Sequence, residues 1–299
     1  MRDPSGHTLV LRRGDYAAEI VGVGAALRAL THAGEPLVAG WPAGEICSDY
    51  RGWVLQPWPN RVGDGAYSFA GEGQQLPLTE PARGNALHGL VGWVHWDVHH
   101  PDASRAVLRH SLVPQLGYPF AVDLRVDYHL TDAGLVVTIS GTNVGDGPAP
   151  YGSGHHPYFT LGRAADDLEL TVPAGTWSPM DERGLPAPAE PVSGTALDLR
   201  DGRAIGDLVL DHPFGDLVGD TVVLRDPASG RAVTLTLGEG CRWLHAYTCD
   251  THDPARQAVA LEPMSCPPDA FRTGTDLVEL EPGETHRLSY TISAGVTGS

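Results

Sequence analysis

The chain has 299 residues and a formal net charge of −17 at pH 7. The length is sufficient for one large β domain or for two ordinary domains. Because no cluster of Lys and Arg could neutralise phosphates, the acidity argues against nucleic acid and against an anionic membrane surface as partners. Charged residues are only 19% of a chain that contains 37 glycines and 25 prolines, which is typical of short strands joined by tight turns. We therefore expect an all-β protein with little helix.

The amino terminus has no apolar signal segment, and no apolar run is long enough to cross a bilayer. We expect a cytoplasmic protein without a membrane partner. The cysteines Cys47, Cys241, Cys249 and Cys266 lack CxxC spacing, so they predict neither a zinc site nor a redox pair. We expect them to be reduced and buried.

Short apolar segments along the chain predict antiparallel strands. Residues 121–130 alternate between apolar and polar side chains, as in a strand with one buried face. Pairs of apolar segments around turn residues predict hairpins. The hairpins combine residues 66–70 with 75–78, 221–225 with 233–237, and 277–280 with 287–292. This density of hairpins predicts sheets packed face to face in a sandwich.

The chain shows no internal repeat and no persuasive linker. Its Pro/Ala-rich stretch, residues 185–191, is interpreted as an excursion from the sandwich and not as a domain boundary. We predict one domain, residues 1–299.

Glu262 lies between the apolar run 258–261 and Pro263. A short apolar run predicts a buried strand, and proline removes a ladder donor, so we expect the strand to end here with Glu262 at its end. Partial loss of water would raise the pKa of this carboxyl toward neutral pH, as a general base requires. Taken alone, the segment is more typical of a solvated loop glutamate that happens to precede a proline.

Four other polar segments precede Glu262 along the chain. They are Asn60-Arg61, Asn85 to Gly89, His156 to Phe159, and Asp211-His212. Each has a structural interpretation by itself: a turn arginine, a core histidine, or an aspartate that closes a turn before proline.

In this order and at these separations, the five segments resemble the aldose 1-epimerase (mutarotase) family over nearly the whole chain. Residues 262–271 resemble a bacterial subgroup that includes a proposed sulfoquinovose mutarotase and members of unassigned sugar preference. The resemblance implies the large antiparallel β-supersandwich of the galactose mutarotase type. It also implies an isomerase that interconverts the α and β anomers of a hexose by opening and closing its ring.

The family's catalytic residues correspond to Glu262 as the base and His156 as the acid. Two positioned proton carriers suffice for this reaction, because one proton leaves the C1 hydroxyl and another reaches the ring oxygen. Strand alternation sends His155 and His156 to opposite faces, so only one can face a cleft. We choose His156 because it directly precedes Pro157-Tyr158-Phe159, just as the family's acid precedes its own aromatic pair.

Further family positions correspond to residues that bind sugar hydroxyls. Arg61, His88 and Asp211 stand at these positions and could form short, charge-assisted hydrogen bonds. The chain departs from the family at Thr160, where many members have asparagine, and at His245, where glutamine is usual. Whether His245 contacts sugar is left open.

The expected partner is a small sugar, an aldohexose with or without a substituent at C6, and we expect no cofactor and no metal. A sulfonated or phosphorylated sugar would need local cations, for which Arg51, Arg61 and Arg83 are available. The chain is expected to be a monomer or a homodimer.

Three other classes of protein are compatible with parts of this pattern. A non-catalytic carbohydrate-binding or regulatory relative would explain the sandwich and the tryptophans but would not need Glu262 with His156. A glycosidase would require two carboxylates, for which Asp211 and Glu262 could be proposed. A metal enzyme could use His88, His155, His156 and Glu262, although their spacing matches no metal motif.

Overall fold

The structure, a computed structural model, describes residues 3–252 and 254–296. Strands dominate it, and the two helices are short: α1 (Ala270–Thr273) and a 3-10 helix (Ala165–Asp167). The first strands are β1 (Thr8–Arg13), β2 (Tyr16–Val21), β3 (Leu27–His32), β4 (Glu35–Val38), β5 (Val54–Leu55), β6 (Arg61–Gly63), β7 (Ala66–Phe69), β8 (Glu72–Gln75), β9 (Asn85–Leu87), β10 (Asp97–Asp102), β11 (Arg105–Leu112), β12 (Val122–Thr131) and β13 (Gly134–Asn143). The remaining strands are β14 (Ala149–Tyr151), β15 (Gly154–His155), β16 (Tyr158–Phe159), β17 (Glu169–Thr171), β18 (Ala174–Trp177), β19 (Glu190–Pro191), β20 (Arg203–Ala204), β21 (Asp211–Leu217), β22 (Thr221–Arg225), β23 (Arg231–Leu237), β24 (Trp243–Tyr247), β25 (Val259–Met264), β26 (Val278–Leu280) and β27 (Thr285–Val296).

Two large sheets contain most of the strands. The larger has the order β1-β2-β3-β4-β16-β25-β24-β21-β18-β19, with β15 pairing β25 and β5. The second has the order β10-β11-β12-β13-β27-β23-β22-β17-β20, and β6-β9, β7-β8 and β14-β26 form three small sheets. The large-sheet pairings are antiparallel throughout. The predicted all-β antiparallel architecture with little helix is confirmed.

The core lies between the two large sheets. In β12, the predicted alternation is present: Val122, Leu124, Val126, Tyr128 and Leu130 are buried, and strands β1 and β2 pack against β12. The largest cluster of buried apolar side chains among the described residues extends from residue 9 to residue 292. The assignment of residues 1–299 to one domain remains a prediction.

The hairpin of β22 and β23 forms as predicted, but the first predicted hairpin is shifted. Strands β7 and β8 are joined by Ala70 and Gly71 alone, so residues 72–75 form the second strand and not residues 75–78. Both turn residues have positive φ, 50° and 84°, as the tight two-residue turns that match strand twist require. The glycine therefore belongs to a shorter turn than the sequence suggested.

The third predicted hairpin is wrong. Strand β26 pairs with β14, whereas β27 pairs with β13 on one side and β23 on the other. Because both edges of β27 are occupied, the Glu-Pro-Gly-Glu turn at residues 281–284 reverses the chain without joining paired strands.

The prediction that a strand ends at Glu262 is also wrong. Strand β25 continues through Glu262 and Pro263 to Met264, and Pro263 lies opposite Leu244 of β24. On its other side, β25 pairs with β15 only at Met264 and with β16 only at residues 259 and 260. Pro263 lies where this neighbouring ladder is already interrupted, which lowers the cost of its missing N–H.

The expectation that the cysteines are buried holds for two of the four. All four thiols are free of disulfides, with Cys249 and Cys266 buried but Cys47 and Cys241 only half-buried.

Among residues 3–252 and 254–296, no helix is long and apolar enough to cross a membrane.

Gly52 connects the segment before β5 to both neighbouring histidines. Its N–H donates to the carbonyl of His156 at 2.8 Å, and its own carbonyl accepts from the Leu27 N–H and from His155 Nε2, both at 2.9 Å. Gly52 has a φ of +66°, and a Cβ there would lie 2.1 Å from the Leu27 carbonyl oxygen. No side chain fits at this position without moving the backbone that holds His155 and His156.

We predict that Gly52→Ala lowers the free energy of unfolding by about 3 kcal/mol or more, since it adds a backbone clash to left-handed strain. The matched control is Gly34→Ala, where φ is +83° but no atom lies within 4 Å of the added Cβ. The control should lose only the strain, about 1 kcal/mol. Urea unfolding of both variants measures the difference, and equal losses would contradict the clash.

Candidate active site

A cavity of about 340 Å³ opens between the central strands of the larger sheet and the loops that cross it. This volume is within the range of small-molecule sites, roughly 300–1,000 Å³. The cavity contains all five residues predicted for the site. Its lining residues are Asp49, Tyr50, Asn60, Arg61, Glu80, Ala82, Arg83, Leu87, His88, His156, Tyr158, Asp211, His245, Tyr247, Thr251, His252 and Glu262.

The floor of the cavity comes from three neighbouring strands. In the ladder of β24 with β25, His245 lies directly opposite Glu262, and in the ladder of β21 with β24, Asp211 lies opposite Tyr247. Residues opposite each other in an antiparallel pair project from the same face. The four side chains therefore reach the cavity because the strand registers align them.

Glu262 and His156 are in contact at the centre of the site. Glu262 Oε1 lies 3.3 Å from His156 Nε2, and the two side chains are 2% and 6% exposed. Burial raises the pKa of Glu262 from 4.5 to about 7, with the Asp211 charge adding to this effect and His245 and Arg61 opposing it. Burial lowers the pKa of His156 from 6.5 to about 3. The pair thus binds one proton over much of the acidic to neutral range.

The adjacent histidine has a different environment. His155 lies outside the cavity lining, where Nδ1 contacts the Tyr290 hydroxyl and Nε2 lies 2.9 Å from the Gly52 carbonyl and 3.2 Å from the Tyr128 hydroxyl. Since Tyr128 and Tyr290 belong to the second sheet, His155 connects the two layers. The placement agrees with the choice of His156 as the residue that faces the cleft.

His88 is held in a defined orientation. It has a φ of +59° directly after β9, and its Nδ1 accepts a hydrogen bond from the backbone N–H of Asn60 at 3.2 Å. Burial, with the nearby His156 and Arg61 charges, holds the pKa of His88 well below 6.5. A neutral ring that accepts at Nδ1 carries its proton on Nε2, so His88 can donate to a ligand oxygen.

Arg61 is held by an acidic partner that the sequence did not indicate. Its Nε and Nη2 donate to the two carboxylate oxygens of Glu80 at 2.9 and 3.0 Å. The Asn85 amide in turn donates to Glu80 Oε2 at 2.8 Å. Burial opposes the charge of Arg61, but Glu80 outweighs it and raises the pKa of the guanidinium. The bidentate pair fixes the plane of Arg61 and leaves other N–H groups for a ligand.

Asp211 forms a second fixed pair. His245 Nε2 lies 2.8 Å from Asp211 Oδ1, and the imidazole is 1% exposed. Burial by itself would raise the pKa of Asp211, but the hydrogen bond and the charge of His245 lower it to about 2. Asp211 is therefore an ionised acceptor at neutral pH. His245, left open by the sequence, lines the cavity.

Three buried polar atoms in the site lack a hydrogen-bond partner among the described residues. They are His156 Nδ1, His245 Nδ1 and Glu262 Oε2. All three belong to side chains that line the cavity, so a polar ligand bound there could hydrogen-bond to them.

Several lining residues were missed by sequence reasoning. Glu80 has no local motif, and Tyr50, Tyr158 and Tyr247 supply the aromatic surface of the cavity. The His156 ring stacks on Tyr158 with centroids 4.9 Å apart, and Tyr50 lies 4.6 Å from the His88 ring. Tyr158 stood within a recognised segment, but only the folded chain brings Tyr50 to it.

The four candidate metal ligands do not all lie at one site. His155 projects between the sheets and not into the cavity that holds His88, His156 and Glu262. Within the part of the chain that the structure describes, no three His, Cys, Asp or Glu side chains form a group that could hold a metal ion.

Residues 7–293 match the family model described as aldose 1-epimerase. The protein YihR of Escherichia coli (strain K12) is 37% identical over 290 residues, which cover 96% of this chain and 93% of YihR. The GalM/aldose epimerase homologue from C. elegans superposes with a TM-score of 0.88 at 20% identity, covering 98% of this chain and 99% of that one. Galactose 1-epimerase from Lactobacillus acidophilus NCFM superposes with a TM-score of 0.85 at 22% identity, covering 97% and 94% of the two chains. The predicted galactose mutarotase type of fold is confirmed.

We predict that Glu262→Gln changes how stability depends on pH. A carboxyl whose pKa is raised on folding contributes its full stability below its unfolded value, here 4.5, and loses it as pH rises through about 7. From about pH 5 to about pH 8, the native protein should therefore lose about 2 kcal/mol of unfolding free energy relative to Glu262→Gln. Denaturant unfolding at both pH values measures this difference.

The control for this prediction is Glu279→Gln, which replaces an exposed carboxyl of β26. Its pH dependence should match that of the native chain. Parallel pH dependences of the native protein and Glu262→Gln would contradict a raised pKa for Glu262.

Proposed function

The chain belongs to the aldose 1-epimerase family, and we propose that it interconverts the α and β anomers of an aldohexose with Glu262 and His156 as its proton carriers. As a member of this family it is an isomerase. The observation that carries the proposed mechanism is the buried contact between His156 Nε2 and Glu262 Oε1 in a cavity of sugar size. Neither a binding module nor a structural protein needs this pair.

In the proposed reaction, the oxygens of the sugar replace the contact between His156 and Glu262. In the form of the pair whose single proton lies on the imidazole, Glu262 takes the proton of the C1 hydroxyl while His156 gives its proton to the ring oxygen, and the bond between C1 and that oxygen breaks. The open aldehyde rotates about its bond to C2. Ring closure on the other face returns both protons, with the two residues exchanging roles.

Three further residues would orient the sugar. Asp211 is ionised and accepts from hydroxyls, whereas Arg61 and His88 donate to oxygens. Glu80 and the Asn60 backbone hold these donors in place before the sugar binds. A site whose polar groups are already oriented loses little entropy when the ligand arrives.

The charges of the cavity bear on the choice of sugar. Arg83 lies 3.9 Å from Glu80, which also binds Arg61, and Arg51 lies 3.6 Å from Asp49. None of the three arginines named as possible anion ligands is thus free of a carboxylate. The substrate proposed is an aldohexose, and a test panel should compare glucose, galactose and a 6-sulfonated glucose. The cytoplasmic location and the monomeric or homodimeric state remain predictions.

We predict that Glu262→Gln and His156→Gln each slow anomer exchange by about 10²- to 10⁴-fold, the usual contribution of one positioned proton carrier. Exchange NMR between the α and β signals of each sugar measures the rate directly. Glu279→Gln and His99→Gln, which alter exposed side chains, are the matched controls and should retain native rates. Binding of a sugar without faster exchange than in buffer would instead support a non-catalytic carbohydrate-binding protein.

We also predict how kcat/KM depends on pH. The reactive pair holds one proton, so activity should be lost when the last proton leaves, as pH rises through about 7. The low-pH limb should fall near 3, where the pair takes up a second proton. Measuring exchange rates across this range tests the assignment, and a rate that keeps rising above pH 8 would contradict it.

A further inference from the structure

His245 is a titratable residue of the site to which the proposed acid/base pair assigns no role. It occupies the middle of β24, opposite Glu262 of β25 and opposite Pro213 of β21. Residues that oppose each other in an antiparallel pair have Cβ atoms about 4.5–5.5 Å apart on one face. The imidazole therefore lies beside the proposed base.

The orientation of the imidazole is fixed by Asp211. Because an ionised carboxylate only accepts hydrogen bonds, the 2.8 Å contact places a proton on His245 Nε2. The ring is almost fully buried, and Nδ1 has no partner among the described residues. One nitrogen is thus committed to Asp211, and the other is available to bind a second proton.

The charges around His245 favour a cation. The titratable and charged groups near it are Asp211 of β21, Tyr247 of β24, Glu262 of β25, Arg61 of β6, His88 after β9 and His156 before β16, while His212 lies on the opposite face of β21. Arg61 is already paired with Glu80, and burial favours neutral rings at His88 and His156. The two carboxylates near His245, Asp211 and Glu262, therefore have no arginine of their own as a partner.

We propose that His245 is a positioning residue that carries a positive charge, held by Asp211, and that this charge favours the deprotonated form of Glu262. The inference rests on the proposed function, in which Glu262 is the base. Asp211 then has two roles, since it binds a hydroxyl and maintains the cation beside the base.

The proposed charge has a defined electrostatic consequence. Burial raises the pKa of Glu262 to about 7, and His245 opposes this increase. A cation beside a carboxylate lowers its pKa, so removing the charge must raise it further. The change is expected to be about one pH unit, a tenfold change in the ionisation constant.

The test replaces the cation with a neutral amide, His245→Gln, which can still donate to Asp211. Infrared difference spectra against the corresponding Glu262→Gln protein isolate the carbonyl band of protonated Glu262, and its titration gives the midpoint. We expect the midpoint in His245→Gln to lie about one unit above that of the native chain, with the high-pH limb of kcat/KM moving in the same direction.

The matched control is His212→Gln, the same substitution on the neighbouring strand. Strand alternation directs His212 away from Asp211, and its ring packs edge-on against Trp177 with centroids 4.9 Å apart. Its substitution should leave the Glu262 midpoint within a few tenths of a unit, as expected for a charge effect specific to His245.

An unchanged or lowered midpoint in a folded His245→Gln protein would overturn the proposal, as would a uniform loss of activity without a shift of either limb. If the glutamine variant does not fold, His245→Asn supplies the same neutral replacement in a smaller side chain. The infrared titration does not require turnover. If the native chain exchanged no sugar, the proposed function would fail, while the midpoints would still decide whether His245 carries the charge.

Discussion

The site depends on a carboxylate that is buried in a sheet, although its proposed role as a base requires it to ionise. Glu262 is 2% exposed and lies in the middle of β25, so its position is set by backbone ladders and not by a loop. The interruption between β15 and β16 leaves one edge of β25 unpaired near Glu262, and His156 occupies that interruption. The same break in the sheet thus accommodates Pro263 and brings His156, the proposed acid, to Glu262, the proposed base.

Adjacent histidines with opposite directions connect this site to the rest of the sandwich. His155 of the larger sheet contacts Tyr128 and Tyr290 of the second sheet, and its contact with the Gly52 carbonyl holds the residue whose N–H donates to the His156 carbonyl. The orientation of His156 is therefore determined by the packing of the two layers. The His155 ring is buried and hydrogen-bonded at both nitrogens, so it is rigid and can support the orientation of His156, the proposed proton carrier.

Sequence reasoning was most successful where periodicity or an extended motif carried the information. Alternation correctly separated His155 from His156, and the resemblance identified five residues that the cavity brings together. It failed where the outcome depended on distant partners. Turn residues near 281–284 indicated a reversal but not that β27 would already have two neighbours. Pro263 indicated a strand end, but a proline is tolerated where the adjacent ladder is broken. Glu80 had no signal at all, since its role appears only when folding places it against Arg61.

The polar atoms of the site that lack a partner among the described residues are placed by the sheet before any ligand binds. His156 Nδ1, His245 Nδ1 and Glu262 Oε2 belong to buried side chains that line the cavity. His245 and Glu262 oppose each other in neighbouring strands, and His156 directly follows β15, so backbone ladders determine where these side chains start. A hydroxylated ligand that hydrogen-bonds to these atoms would therefore meet groups that are already oriented, and little entropy would be lost in ordering them.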